Sequence, residues 1–95
     1  MPYELMYVVR PDVDETSLTA VNEKVDHLIT AGGGEILKRE DWGKRRLAYP
    51  ITKLTEGFYS VLQFNLPAPA VHDLDRTLKL REEILRFLVT RVETA

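Results

Sequence analysis

Two histidines are the only side chains in this sequence that ordinarily titrate near neutrality, and each has a carboxylate beside it, as Asp26-His27 and His72-Asp73. Hydrolysis or group transfer needs a nucleophile with its base, or a cage of metal ligands. Adjacent residues on a helix point about 100° apart, so neither pair makes a dyad. No cysteine is present, which removes thiolate nucleophiles, thiolate metal sites and disulfides, and a reducing cytoplasm suits such a chain. Gly32-Gly33-Gly34 has the composition of a phosphate loop, but it follows a helical pattern and precedes a strand, the reverse of the order that aims amide groups at phosphate. It is expected to cap the helix. No enzymatic activity, cofactor, metal or small-molecule substrate is expected.

The remaining chemistry is cationic. A net charge of −2 over 95 residues hides an uneven distribution. Residues 1 to 35 hold seven acids against Arg10 and Lys24, whereas residues 38 to 53 hold six bases against Glu40 and Asp41. Within Trp42-Gly43-Lys44-Arg45-Arg46-Leu47-Ala48-Tyr49-Pro50-Ile51, three consecutive cations are followed by an aromatic. Lys44, Arg45 and Arg46 suit phosphates, and Tyr49 suits an exposed base. Arg86 and Arg91 near the C-terminus extend the candidate RNA-binding set. A charged edge that discourages strand-to-strand aggregation would use the same residue types.

These residues need a scaffold. Tyr3, Leu5, Tyr7 and Val9 alternate with Glu4, Met6, Val8 and Arg10, the period of a half-buried strand, and Pro11 ends it. Asp14 is placed to cap a helix in which Leu18, Val21, Val25, Leu28 and Ile29 recur on one face, with the glycine triplet giving a left-handed C-cap. Residues 35 to 51 read as a long strand bent at Gly43, and Leu54-Thr55-Glu56-Gly57 as a hairpin turn. Phe58, Ser60, Leu62 and Phe64 form the core face of the next strand. A helix with the stripe Val71, Leu74 and Leu78 follows Pro67 and Pro69, and a strand over 84 to 92 closes the chain.

Strand, helix, strand, strand, helix, strand is an α+β, ferredoxin-like split βαβ order, read as a single domain over 1–95. The expected sheet is antiparallel in the order 4-1-3-2, with both helices on one face. Leu5, Tyr7, Leu28, Leu62, Phe64, Leu78, Phe87 and Val89 are the expected core. Parity leaves Met6, Val8, Tyr59, Val61 and Leu88 on the open face, a candidate docking surface for a protein partner. The fold is shared with RNA-recognition motifs, but Ser60 and Gln63 stand where that motif carries stacking aromatics on its third strand. The N-terminus has no basic-then-apolar leader, and no apolar run approaches the ~20 residues that span a bilayer, so a soluble chain is expected.

The basic segment, with its glycine, cations and Leu-Ala-Tyr-Pro-Ile, resembles the signature of the bacterial small ribosomal subunit protein six family. The Tyr3-Glu4 strand, Pro11 and Asp14, Gly57, Leu66-Pro67 and Leu80-Arg81-Glu82-Glu83-Ile84 also fall where that family has them, so the resemblance covers essentially the whole chain. It implies a ribosomal role: binding 16S ribosomal RNA together with the eighteenth small-subunit protein. The competing expectation is a free-standing regulatory or ligand-binding module of the same fold.

Overall fold

The computed structural model describes residues 2–51 and 54–92, with backbone alone for 47–51, 54 and 55. The elements run β1 (Pro2–Val9), α1 (Glu15–Ala31), β2 (Glu35–Ile51), β3 (Leu54–Asn65), α2 (Ala68–Lys79) and β4 (Ile84–Arg91). All three strand pairings are antiparallel and the sheet order is β2-β3-β1-β4, the expected order read from the other edge.

Leu5, Tyr7 and Val9 of β1 and Leu62 and Phe64 of β3 are fully buried against Val21, Val25 and Ile29 of α1 and Leu74 and Leu78 of α2. This layer is the core. Leu28 was expected in it but packs only partly buried at its margin, because the neighbouring Ile29 takes the inward position. Phe87 and Val89 are likewise partly buried, since β4 is an edge strand with a neighbour on one side only. Leu54–Gly57, expected as a hairpin turn, are strand, with Glu56 and Gly57 opposite Arg46 and Arg45.

Asp14 caps α1 as expected, its carboxylate accepting the Ser17 backbone N–H at 2.7 Å. That hydrogen bond holds the Asp14 carboxyl below its ordinary pKa. A pKa depressed by folding contributes stability that is complete above the unfolded value of about 4 and lost as pH falls through the folded one. Urea unfolding should therefore show Asp14→Ala less stable than the parent at neutral pH, with the gap closing in acid. A gap that persists unchanged in acid would mean that the carboxylate charge is not what caps the helix. At the other end of α1, Gly34 N–H reaches the Ile29 carbonyl and Gly33 N–H the Thr30 carbonyl. The left-handed residue of this Schellman closure is Gly33, at φ 87°, one position beyond the C-cap Gly32.

Candidate nucleic-acid interface

β2 is 17 residues long and β1 only 8, so β2 and β3 run on past the four-stranded sheet as a two-stranded arm. The last β1–β3 pair is Val9 with Phe58, while β2 and β3 continue through Lys44–Phe58, Arg45–Gly57 and Arg46–Glu56. Lys44, Arg45 and Arg46 are all exposed on this arm. The side chain of Tyr49, the fourth candidate on β2, lies outside the described residues.

Two bulges in β2 decide which way its side chains face. The pairing skips Leu37 between Ile36–Phe64 and Lys38–Gln63, and skips Trp42 between Asp41–Ser60 and Gly43–Tyr59. Each extra residue flips the strand by one position, since side chains alternate with a period of two. Gly43, expected at a bend, takes φ 76°, a left-handed conformation that most side chains resist. After the second bulge Lys44 lies opposite Phe58 on the helix side, its Nζ 5.2 Å from the ring centroid. Arg45 lies opposite Gly57 on the open side.

Trp42 is 48% exposed and joins the open face, its ring parallel to that of Tyr59 with 10° between planes and 6.5 Å between centroids. Its indole N–H donates to Glu40 Oε2 at 3.3 Å, and Arg45 Nε donates to its backbone carbonyl at 3.0 Å. Hydrogen bonds from Lys38 and then from Trp42 keep the Glu40 carboxyl below its ordinary pKa. A cleft of about 600 Å³ is lined by Trp42, Arg45, Arg46 and Tyr59. A second, of about 260 Å³, lies further along the open face among Met6, Val61 and Trp42, with Glu4, Glu40 and Lys38 on its rim. Trp42 was not among the candidate residues. Its place two positions before the cation run was visible, but its face depends on the bulge.

Arg86 is opposite Val8, which is opposite Tyr59, so Arg86 shares the open face with the aromatic pair. Arg91 is opposite Tyr3 on the helix side, five residues and roughly 17 Å along the strand from Arg86. The six expected RNA contacts are thus not one surface. Met6, Tyr59 and Val61 are partly buried on the open face and Leu88 is 52% exposed there. Val8 is a correction: expected in the docking patch, it is fully buried. It fills the space left by a missing side chain, for a Cβ on Gly57 would come within 2.3 Å of Val8 Cγ1.

Arg39 shows that the cationic segment is not uniformly a surface. Its side chain is 18% exposed and lies on the helix side of the sheet, donating from Nε to Asp26 of α1 at 3.1 Å and from Nη1 to Asp41 at 2.7 Å and to the Tyr7 hydroxyl at 2.8 Å. Tyr7 donates to Asn22 Oδ1 at 2.6 Å, and Ser60 to Asp41 at 2.8 Å. Burial works against the Arg39 charge, but the hydrogen bonds to Asp26, Tyr7 and Asp41 outweigh it and raise its pKa. This cation holds the edge strand to α1.

Among the described residues there is no group of three or more metal-ligating side chains, and no helix long and apolar enough to cross a membrane. The sheet order, the helices on one face and the basic arm define a ferredoxin-like domain. The family described as Ribosomal protein S6 matches residues 2–91. The chain is 45% identical over 89 residues to the small ribosomal subunit protein bS6 of Symbiobacterium thermophilum, covering 94% of each. It matches the crystal structure of 30S ribosomal protein S6 from Thermotoga maritima with a TM-score of 0.92 and 32% identity, over 96% of this chain and 86% of that one. The chain belongs to the ribosomal protein S6 family, and is a structural, non-enzymatic component of the small ribosomal subunit that serves translation.

Proposed function

We propose that the chain acts as a single domain, residues 1–95, that binds 16S ribosomal RNA on the cytoplasmic ribosome through its β2–β3 arm, with the eighteenth small-subunit protein docked on its open sheet face. The observation that carries this reading is the run Lys44, Arg45 and Arg46, exposed together on an arm that projects beyond the sheet. Consecutive cations on a narrow two-stranded ribbon can follow a phosphate backbone, and each phosphate they neutralise releases counterions. Arg86 is proposed to extend this surface on the open face, and Tyr49, whose side chain lies outside the described residues, is kept in the proposed set from its place after the cations in the sequence; Arg91, at the far end of β4 from the arm, is left out of it.

The partner is called for by charge. A chain of net charge −2 with one short basic arm makes few phosphate contacts by itself, and the missing ones must come from a basic neighbour. Met6, Val61 and Leu88 offer it apolar area, Glu4 beside the second cleft attracts it, and Tyr59 stands where the protein and RNA surfaces meet.

Replacing Arg45 and Arg46 with alanine should weaken binding to a small-subunit RNA fragment and reduce the slope of log affinity against log salt by roughly one unit per lost contact, with fold stability unchanged. An unchanged slope would refute the assignment of these side chains to phosphates. A Val61→Asp, Leu88→Asp variant should lose RNA affinity only when the partner is present. Equal loss without it would move the docking surface elsewhere.

A further inference from the structure

We infer that Trp42 and Tyr59, with Arg45 and Arg46, form a shelf that takes a single unpaired nucleotide of an RNA strand, the base stacked on the indole and the phosphate beside the guanidinium groups. The inference rests on the RNA-binding reading and narrows it, from a phosphate-following arm to a subsite that tells an unstacked base from a bare backbone.

The bulge is the device that builds it. Trp42 is left out of the β2–β3 pairing and Gly43 adopts φ 76°, so the largest side chain of the strand is delivered to the open face beside Tyr59. A tryptophan on this edge could have folded down as core; instead it is nearly half exposed and parallel to a tyrosine. Two bonds fix its pose: Glu40 holds the indole N–H, and Arg45 holds the backbone carbonyl. The second bond also ties a guanidinium to the shelf.

A planar aromatic floor accepts any flat ring, because stacking draws on the face of the π-system alone. The cations select among flat rings. Among the described residues the cleft is lined by two arginines and no carboxylate; Glu40 beside Trp42 is bound to Lys38 and to the indole, and Glu56 lies opposite Arg46 in the strand pair. A nucleotide joins a flat ring to a negative charge, the combination this lining suits, and about 600 Å³ falls within the range of small-ligand sites. β3 lacks the stacking aromatics of an RNA-recognition motif at Ser60 and Gln63, and the pair formed across the strands supplies a platform by another route.

Trp42 is the sole tryptophan of the chain, so its fluorescence reports on this shelf alone. The full chain would be titrated at low ionic strength with an unstructured oligoadenylate of eight nucleotides, an abasic strand of the same length and charge, adenosine monophosphate, and an acidic octapeptide containing tyrosine. Affinities would be read from the anisotropy of a labelled probe. The expected result is quenching of Trp42 by the oligoadenylate and binding about 5- to 100-fold tighter than the abasic strand, the effect of stacking one base. Trp42→Leu should abolish that difference and Trp42→Phe keep most of it, while thermal unfolding shows both variants folded. Equal, salt-sensitive binding of the two strands would overturn the shelf and leave the phosphate reading standing. Binding of neither strand would overturn the shelf, while the RNA reading, which calls for a basic partner, is decided by the salt slope of the partner-containing titration. Equal binding of the mononucleotide would overturn the assignment to an RNA strand, and equal binding of the peptide would overturn the assignment to nucleotides.

Discussion

Gly34→Ala should destabilise the fold by about 3 kcal/mol or more, at or above the top of the range for overpacking, although Gly34 does not take the left-handed φ that favours glycine. A Cβ there would sit 2.5 Å from the Asn65 carbonyl oxygen, 2.8 Å from that of Ile29 and 2.8 Å from Leu66 Cδ1. Two of these atoms are backbone, one in the last turn of α1 and one at the end of β3, so no rotamer change relieves the contact. Ile29 O already accepts the Gly34 N–H at 2.9 Å, which fixes the approach. Gly33→Ala gives the control. Its φ of 87° makes a side chain strained, yet the nearest neighbour of its Cβ would be Pro67 Cγ at 3.8 Å, and a single left-handed residue costs about 1–2 kcal/mol. Urea unfolding of the two variants measures both. If Gly33→Ala proved the costlier, the triplet would be there for turn geometry alone, and the close passage of the α1–β2 connection against the end of β3 would not be what demands glycine.

The contrast between these glycines marks where local reading of the sequence stops. A helix cap and a left-handed closing residue are set within a few positions of one another, so Asp14 and the glycine triplet were legible as helix ends. The alternation in β1 and the order of elements were legible for the same reason, and the sheet order followed from short connections. Contacts between distant segments were not. Nothing near Gly34 or Gly57 in sequence announces Asn65 or Val8. Val8 was assigned to the open face correctly by parity and yet was not available to a partner, because the empty position at Gly57 lets it sink out of solvent.

The candidate site divides in the same way. A run of three cations is local and was seen; which face each cation takes depends on bulges at Leu37 and Trp42, which exist only in the pairing with β3. Counted from Ile36, which packs on the core, uninterrupted alternation would have turned Lys38 and Glu40 inward and Arg39 out. The bulge at Leu37 reverses this and places Arg39 beneath α1. One signal for it was present: Tyr7 and Ser60 both lie on the core face and both carry hydroxyls, a polar row that needs partners when buried.

Arg39 is therefore the position where removing one charge should matter most for the edge strand. Arg39→Met keeps much of the side-chain volume and removes the cation, leaving the Tyr7 oxygen without its donor and the Asp26 and Asp41 carboxylates without their shared counterion. Breaking a fully buried pair costs about 3–5 kcal/mol, and water can still reach the two carboxylates, whose side chains are 36% and 51% exposed, so about 2–3 kcal/mol is expected here. Asp26→Asn alone should cost less, and in the double variant the two effects should fall well short of adding, because the second change removes a carboxylate already stripped of its partner. The Tyr7 hydroxyl offers an independent readout. Burial raises its pKa, and the Arg39 charge and hydrogen bond pull it back down without cancelling the rise. A phenol whose pKa is raised by folding contributes stability that is full below the unfolded value of about 10 and is lost as pH climbs through the folded value. In Arg39→Met the tyrosinate absorbance of Tyr7 should move to still higher pH, since the opposing cation is gone and the burial remains. A loss of less than about 0.5 kcal/mol, the scale of an exposed ion pair, together with an unmoved Tyr7 titration, would show that Arg39 is a surface cation after all and that something else fastens β2 to α1.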